Sequence, residues 1–510
     1  MVDDRPNILL ITTDQQHHRA LGRLTPQLRT PNLDALAEQG MAVDRAYCTN
    51  PLCSPSRSSI ITGRYPSSHG CWTIGVRLDS SESTVAPSLP RQLSLAGYDT
   101  SLIGKAHFEP LASPPGVESL ESQPRLRDLD FWRNFQGPYY GFDHVELARN
   151  HADESYVGQH YAIWMEENGF PQWRNHFQAW PERKEEPRRR WQWDLPKEYH
   201  YSTWTGERSI AAIERAAGAE MPFFCWASFH DPHPPYLVPE PYASMYDPAE
   251  VDLAHVGPKP GEELPPWVAM TQEPNPDFSA WQETPFANHG LHRQVVDEET
   301  LRRNIATYFG MMTFVDDQVG RILDRLDRLG LRHNTLVVFT SDHGHYLGQH
   351  GLTAKGPFHY EDLVRVPFLL RWPGHVDPGS DSDSLLSLVD LAPTFLTAAG
   401  VDVPGIMQGM DQGPVWRGEA ERVRAHAIVE NRHQPTAVDL RTYVDDRHKL
   451  TVYRGHPDWG EVFDLACDPG EVHNVFHDDD RQLLVRDLAL DWLRGEMDRE
   501  STAQPRVASA

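Results

Sequence analysis

Asn7-Ile8-Leu9-Leu10-Ile11-Thr12-Thr13-Asp14-Gln15 and, far downstream, Thr335-Leu336-Val337-Val338-Phe339-Thr340-Ser341-Asp342-His343-Gly344 are the stretches on which the fold turns. Each is a short β-rich run without polar alternation, the pattern of a strand buried on both faces. Each ends on an aspartate followed by a second polar side chain. Working outward, further buried strands are predicted at 100–104, 222–229 and 364–371. Helical stretches lie between them. One starts at Pro31, with Thr30 as N-cap and Gly40 as stop; one covers 205–218; a long one covers 298–330, with Ile305, Phe309, Met312 and Val319 near helical spacing. Residues 384–400 continue the alternation. The pattern predicts an α/β fold, a mostly parallel sheet flanked by helices on both faces. After about Gly418 the chain changes to short strands (427–429, 441–444, 449–453) and a last helix near 481–499. Residues 1–418 and 419–510 are therefore expected to form a large catalytic domain and a smaller α+β domain.

In open α/β sheets, ligands bind beyond the carboxyl ends of the strands. Asp14, Lys105, His233 and Asp342 all fall just past predicted strand ends, so residues distant in sequence are expected to converge on one rim. Bulk properties narrow the function classes. The 510 residues are ample for a sizeable core, and with 24% charged and 39% hydrophobic residues the chain reads as globular. A net charge of −26 argues against nucleic acid and against anionic lipid. An anionic substrate would be drawn in only by a local metal and a few cations, because the global field repels it. No apolar run approaches a membrane span. Met1-Val2-Asp3-Asp4-Arg5 leads straight into a strand, which leaves the cytoplasm as the expected location. The cysteines (48, 53, 71, 225 and 467) are odd in number and scattered, so no disulfide framework or zinc cluster is indicated.

One cysteine stands in a distinctive run, Pro51-Leu52-Cys53-Ser54-Pro55-Ser56-Arg57, followed by Thr62-Gly63-Arg64. Its plain reading is a buried structural thiol. A thiolate phosphatase spaces cysteine and arginine further apart, and Ser59 stands where that arginine would be. The run resembles the maturation signature of the type I sulfatases, the formylglycine-dependent family of the alkaline phosphatase superfamily. The motif order, with Phe463-Asp464-Leu465-Ala466-Cys467-Asp468-Pro469-Gly470-Glu471 near the end, extends the resemblance across nearly the whole chain. It implies an alkaline-phosphatase-like core and a small C-terminal domain carrying an antiparallel sheet. It also implies that a formylglycine-generating enzyme oxidises Cys53 to an aldehyde, whose hydrate attacks sulfur or phosphorus with one hydroxyl and expels the product with the other.

The resemblance assigns further residues. Asp14, Gln15, Asp342 and His343, with the group derived from Cys53, would hold one divalent metal; taken separately, the two pairs also read as caps or loop residues. Aspartate-glutamine with aspartate-histidine resembles the choline-sulfatase and phosphonate monoester hydrolase branch, and the mixed donors admit Ca2+, Mn2+ or Mg2+. Lys105-Ala106-His107 resembles the family's lysine-x-histidine pair. If the strand continued through it, both side chains would face one side, with Lys105 on an anionic oxygen and His107 as base for intermediate collapse. This pair looks like the sulfatases rather than the phosphonate hydrolases. In His230-Asp231-Pro232-His233-Pro234-Pro235-Tyr236, His233 would protonate the leaving oxygen. Lys355 matches the late family lysine on the transferred group, and Arg57 would anchor the hydrated aldehyde or balance charge. The plain alternatives are a surface lysine beside a core histidine for Lys105 and His107, and a solvated cation for Lys355.

The segment 131–204 is rich in tryptophan (Trp132, Trp164, Trp173, Trp180, Trp191, Trp193, Trp204) and carries Arg188-Arg189-Arg190. It is expected to be an insertion packed on the core. A cage for a cationic headgroup and a contact within a homo-oligomer are the alternatives. Residues 257–276 read as a long surface loop. The expected function is hydrolysis of a small sulfate monoester. The rivals are phosphonate monoester or phosphodiester hydrolysis on the same machinery, and a non-catalytic binding protein on the same fold.

Overall fold

Every residue of Asn7–Thr13, Phe223–Ser228 and Thr335–Ser341 is buried, as uninterrupted apolar runs require when helices cover both sides of a sheet. The computed structural model describes residues 5–112, 116–149, 156–177, 191–253, 264–279, 290–434 and 438–499. In chain order the strands of the central sheet are β1 (Asn7–Thr13), β2 (Met41–Val43), β3 (Asp99–Gly104), β4 (His144–Leu147), β5 (Phe223–Ser228), β6 (Thr335–Ser341), β7 (Phe368–Arg371) and β8 (Ser380–Ser382). They lie side by side as β8-β2-β7-β6-β1-β5-β3-β4. From β6 to β4 every neighbouring pair is parallel, whereas β7 runs antiparallel to both β6 and β2. The expected mostly parallel sheet is thus present.

The helices relevant here are α1 (Pro31–Glu38), α2 (Cys53–Thr62), α3 (Leu89–Leu95), α4 (Tyr201–Gly218), α5 (Glu298–Arg328), α6 (Leu391–Ala398) and α7 (Gln482–Asp498). Alternate strand residues sort onto the two faces of the sheet. Ile8, Leu10, Leu336 and Val338 pack with Ile60 and Ile61 of α2 and Phe395 of α6. Leu9, Ile11, Val337 and Phe339 pack with Leu33 of α1, Ile213 of α4 and Ile322 of α5. Each such side chain contributes roughly 1.5–3 kcal/mol relative to exposure, and the sum holds the carboxyl ends of β1, β5, β3 and β6 at fixed spacing.

Several local expectations are corrected. Thr30 does stand at the N-cap of α1, with Pro31 opening the helix, but its hydroxyl makes no capping bond and instead accepts from the Gly22 N–H at 2.7 Å. Helix α1 stops at Glu38, and Gly40 serves another purpose, because a Cβ there would lie 1.9 Å from the Leu370 carbonyl oxygen. The run 364–371 is split at Pro367, which lacks an N–H for the ladder. Arg365–Val366 pairs with Ala46–Tyr47, outside the central sheet, and β7 begins at Phe368. Within 257–276 a helix, Pro266–Thr271, buries Trp267 and Val268, so that stretch is not simply a surface loop; residues 254–263 lie outside the described ones. In the aromatic segment, Trp173, Trp193 and Trp204 pack with Tyr161 and Phe177. Trp180 and Arg188-Arg189-Arg190 lie outside the described residues.

Towards the C-terminus, β9 (Ala427–Gln434), β10 (Val438–Val444), β11 (His448–Tyr453) and β12 (Gly460–Asp464) form an antiparallel sheet in that order. Leu488 and Trp492 of α7 pack on Ile428, Tyr443, Leu450 and Val462, in a cluster that also takes in Tyr65 and Val389. Strand β9 runs past its expected end at Val429 because Glu430, though charged, is buried against the Ser67 hydroxyl at 2.9 Å and Arg499 at 2.9 Å. Among the described residues no helix is long and apolar enough to cross a membrane.

Candidate active site

Cys53 opens α2, after Leu52 in extended geometry (φ −124°, ψ 146°). The helix is serine-rich, a composition that competes with helix formation through local hydrogen bonds. Here all ten of its residues are buried, and the hydroxyls turn back onto main-chain carbonyls: Ser58 to Ser54 and Thr62 to Ser58, each at 2.7 Å. Pro55 sits in the first turn, where its missing N–H costs nothing. Ser56 donates to the Asp342 carbonyl at 2.6 Å, which ties the head of α2 to the end of β6. No apolar periodicity marks this helix, and sequence reasoning missed it.

The two aspartates arrive as expected, Asp14 one residue past β1 and Asp342 one past β6. Donor atoms of Asp14, Cys53, Asp342 and His343 all lie within 4.8 Å of one another, and all four residues are buried. The Cys53 Sγ is 3.4 Å from Asp14 Oδ1, 3.3 Å from His343 Nε2 and 3.0 Å from Lys355 Nζ. The His343 Nδ1–H faces the Gly344 carbonyl at 2.9 Å, which leaves the Nε2 lone pair for the cluster. Gln15 sits at φ 65° and places its Nε2 2.8 Å from His345 Nδ1. Its Oε1 is buried without a hydrogen-bond partner. Two carboxylates, one imidazole nitrogen and a spare amide oxygen fit a hard or borderline divalent ion.

Arg57 pairs with Asp342 (Nε to Oδ2, 2.8 Å) and uses Nη1 on the Lys105 carbonyl at 2.9 Å and the Ser228 hydroxyl at 2.7 Å. It balances the charge of Asp342 and braces β6, β3 and β5 together, while its Nη2 has no partner. Lys105, buried one residue past β3, is ion-paired with Asp14. Lys355 Nζ lies 3.1 Å from His233 Nε2 and 3.4 Å from His343 Nε2. The strand argument for Lys105 and His107 does not hold: β3 ends at Gly104 and His107 has φ 60°. His107 is nevertheless buried, and both of its ring nitrogens lack hydrogen bonds.

The electrostatics single out Cys53. Burial and Asp14 push its thiol up, but Lys105, Lys355 and His343 outweigh them and the pKa falls below its ordinary value. Burial pushes Cys71 and Cys225 up to about 12. Burial draws His233 well below the ordinary imidazole range, helped by Lys355, and it draws His107 down likewise, helped by Arg149 and Lys105. Asp231 is raised to about 7 by burial, against hydrogen bonds from Ser202 and Tyr201.

Sequence reasoning also missed Arg149, two residues past β4. The strand before it, His144-Val145-Glu146-Leu147, is not an apolar run, so the signal that revealed Asp14 is absent here. His17, His18 and Asp362 form a second close group. His17 Nδ1 accepts the Arg19 N–H at 3.0 Å, so Nε2 carries the proton and donates it to Asp362 at 2.8 Å. That is a hydrogen bond rather than coordination.

Residues 6–401 match the family model described as Sulfatase, and residues 348–495 match the one described as N-sulphoglucosamine sulphohydrolase, C-terminal. The multifunctional alkaline phosphatase superfamily protein PehA of Trinickia caryophylli is 29% identical, over 98% of this chain and 97% of its own length. The uncharacterized sulfatase YidJ of Escherichia coli strain K12 is 28% identical, over 97% of this chain and 88% of its own. Among solved structures, the phosphonate monoester hydrolase of Agrobacterium radiobacter superposes with a TM-score of 0.78 at 25% identity, covering 99% of this chain and 98% of that one.

Proposed function

This chain belongs to the sulfatase family, and we propose that it hydrolyses sulfate monoesters through a formylglycine made from Cys53 beside one divalent metal ion. The observation that carries the reading is the setting of the Cys53 Sγ, buried at the head of α2 within 3.4 Å of Asp14, His343 and Lys355. That sulfur stands in for the formylglycine oxygen, which a formylglycine-generating enzyme would install.

Asp14, Gln15, Asp342 and His343 would hold the ion, Ca2+, Mn2+ or Mg2+, which supplies Lewis-acid polarisation of the transferred group. The formylglycine made from Cys53 would, once hydrated, supply one hydroxyl for attack and a second through which sulfate could leave by carbon–oxygen cleavage. Lys105 and Lys355 hold the anionic oxygens of the transferred group in a site that water does not screen. Arg57 keeps Asp342 oriented. His233 accepts at Nε2 from Lys355 before substrate binds. An arriving anion offsets the Lys355 charge and raises the imidazole pKa, so a proton becomes available to the leaving oxygen. His107, kept neutral at rest by burial, takes up a proton at a ring nitrogen when the product departs.

The superposition on a phosphonate monoester hydrolase favours a second reading, phosphonate monoester hydrolysis on the same residues. Sulfate monoesters and phosphonate monoesters are both monoanions near neutral pH, so charge alone does not separate them. Lys105 supports the sulfatase reading. The test compares a model aryl sulfate with the matching aryl phosphonate monoester on protein whose Cys53 oxidation is confirmed by mass spectrometry. The aryl sulfate is expected to be turned over with the higher kcat/KM, and Cys53→Ala is expected to abolish both activities. A phosphonate preference of orders of magnitude would hand the assignment to the second reading. Full activity with an intact thiol would end both.

A further inference from the structure

Arg149 is 1% exposed and makes no hydrogen bond through Nε, Nη1 or Nη2. Among the described residues it is the one arginine with all three buried nitrogens in that state. Its neighbouring carboxylate is Glu121, with Nε 3.4 Å from Oε2. That carboxylate is already engaged. It accepts the backbone N–H groups of His107, Phe108 and Glu109 at 2.8–3.1 Å and the Tyr139 hydroxyl at 3.0 Å. A buried guanidinium with its donor fork unused is costly to keep unless a ligand fills it. Burial pulls the Arg149 pKa down, and Glu121, Cys53 and Asp14 only partly oppose this, which also places the charge within electrostatic reach of the site.

Its position says which part of a substrate it would meet. Strand β4 is the edge strand beside β3, and the Ala148 N–H donates to the Gly104 carbonyl at 3.0 Å, just before Lys105. With neighbouring strands about 4.8 Å apart, Arg149 is rooted one strand beyond Lys105 and three beyond the strand that carries Asp14. The transferred group belongs between Cys53, Asp14 and Lys105. Arg149 is therefore rooted on the side of the site away from Asp14 and Asp342, the side to which a leaving group would extend.

We propose that Arg149 is a specificity-determining residue that binds a second anionic group, a carboxylate or a further sulfate, carried by the leaving group next to the scissile ester. The inference rests on the ester-hydrolase reading above and names the substrate class: esters with a neighbouring negative charge.

The experiment uses matured, metal-loaded enzyme and four substrates: para-nitrophenyl sulfate, its ortho-carboxyl and ortho-sulfo derivatives, and the neutral ortho-carboxamide as steric control. The parent enzyme is expected to favour one or both charged derivatives over the carboxamide by roughly tenfold or more in kcat/KM, mainly through KM, the scale of one charge-assisted hydrogen bond. The two charged arms distinguish carboxylate from sulfate. Arg149→Met is expected to bring that ratio near one, and Arg149→Lys to restore part of it. A merely structural role would lower all four substrates together. Equal handling of charged and neutral derivatives by the parent enzyme overturns the proposal, as does an equal loss on all four in Arg149→Met. If no aryl sulfate is hydrolysed, the same leaving groups carried on phenylphosphonate give the same ratio, so failure of the sulfatase reading and failure of the Arg149 subsite are separate results.

Discussion

Arg424 and Arg149 are both buried arginines, and the fold treats them in opposite ways. Arg424 precedes β9 and lies in the seam between the main sheet assembly and the C-terminal strands. It forms a forked pair with Asp390 and also donates to the Tyr65 hydroxyl at 3.2 Å and the His426 carbonyl at 3.0 Å. Asp390 in turn accepts from the Ser387 and Met410 N–H groups and the Gln412 amide. Burial alone would lower the Arg424 pKa, and Asp390 more than reverses it. At the rim, burial lowers Arg149 and nothing sufficient reverses it. The Gln15 Oε1, Arg57 Nη2 and both His107 nitrogens are likewise without partners. Around Arg424 and Asp390 the chain supplies the partners, although Arg499 in the same seam keeps Nε and Nη1 unbonded. At the rim, polar atoms are left over, as expected if their partners arrive with substrate and metal.

The largest effect that would sharpen this contrast is on stability. Removing one member of a buried, fully bonded pair leaves the other charge stranded, at a cost of about 3–5 kcal/mol. Asp390→Ala and Arg424→Met are each expected to lose that much by denaturant unfolding. Arg149→Met takes the countercharge from Glu121 but leaves that carboxylate its three backbone N–H donors and the Tyr139 hydroxyl, so it is expected to cost clearly less than either. Comparable losses at both positions would break the comparison.

A smaller effect comes from Asp231, which sits between the two cases. Its carboxylate accepts from the Tyr201 hydroxyl at 2.8 Å and the Ser202 hydroxyl at 2.6 Å, yet meets no full countercharge. With its pKa moved from 3.8 to about 7, the folded state binds the proton more tightly than the unfolded chain. Its contribution therefore favours folding at low pH and is lost as the pH rises from about 4 to 7, with a slope of at most about 1.4 kcal/mol per pH unit. Asp231→Asn is expected to remove this slope from the stability–pH profile. An unchanged slope would place the titration elsewhere.

What could be read in advance follows the same division. β1 and β6, with Asp14 and Asp342 at their ends, were legible because a strand buried on both faces has to be an unbroken apolar run. The Cys53 run, Lys355 and His233 were legible as motifs. Helix α2 was not, since four of its ten buried residues are serine and it carries no apolar period; Ser58 and Thr62 are satisfied by carbonyls that only the folded helix presents. The full length of β9 was hidden because Glu430 and Asn431 look like a turn until Ser67 and Arg499 are placed beside them. Lys105 and His107 were assigned to one strand face, but the chain leaves β3 at Gly104, and no sequence pattern reports the positive φ at His107. Arg149 carried no such signal, because β4 mixes His144 and Glu146 with its apolar residues.

The smallest expected effect lies at a pair with the fork of Arg424 but with water nearby. Arg208 donates through Nε to Glu146 Oε2 at 2.6 Å and through Nη2 to Oε1 at 2.9 Å. Its side chain is 32% exposed, against 4% for Arg424. Water can therefore replace the lost partner, and screening discounts the attraction, so Arg208→Ala is expected to cost no more than about 1 kcal/mol. Glu146 is held down at about 2, where hydrogen bonds from His144 and Arg208 overcome the upward push of burial. Because that carboxylate is depressed, its contribution is present above its unfolded value of 4.5 and lost as the pH falls towards 2, opposite in sign to Asp231. The stability gap between Arg208→Ala and the parent should accordingly narrow on acidification. A gap as large as that of Arg424→Met would mean that forked geometry, and not the exclusion of water, sets the value of these pairs.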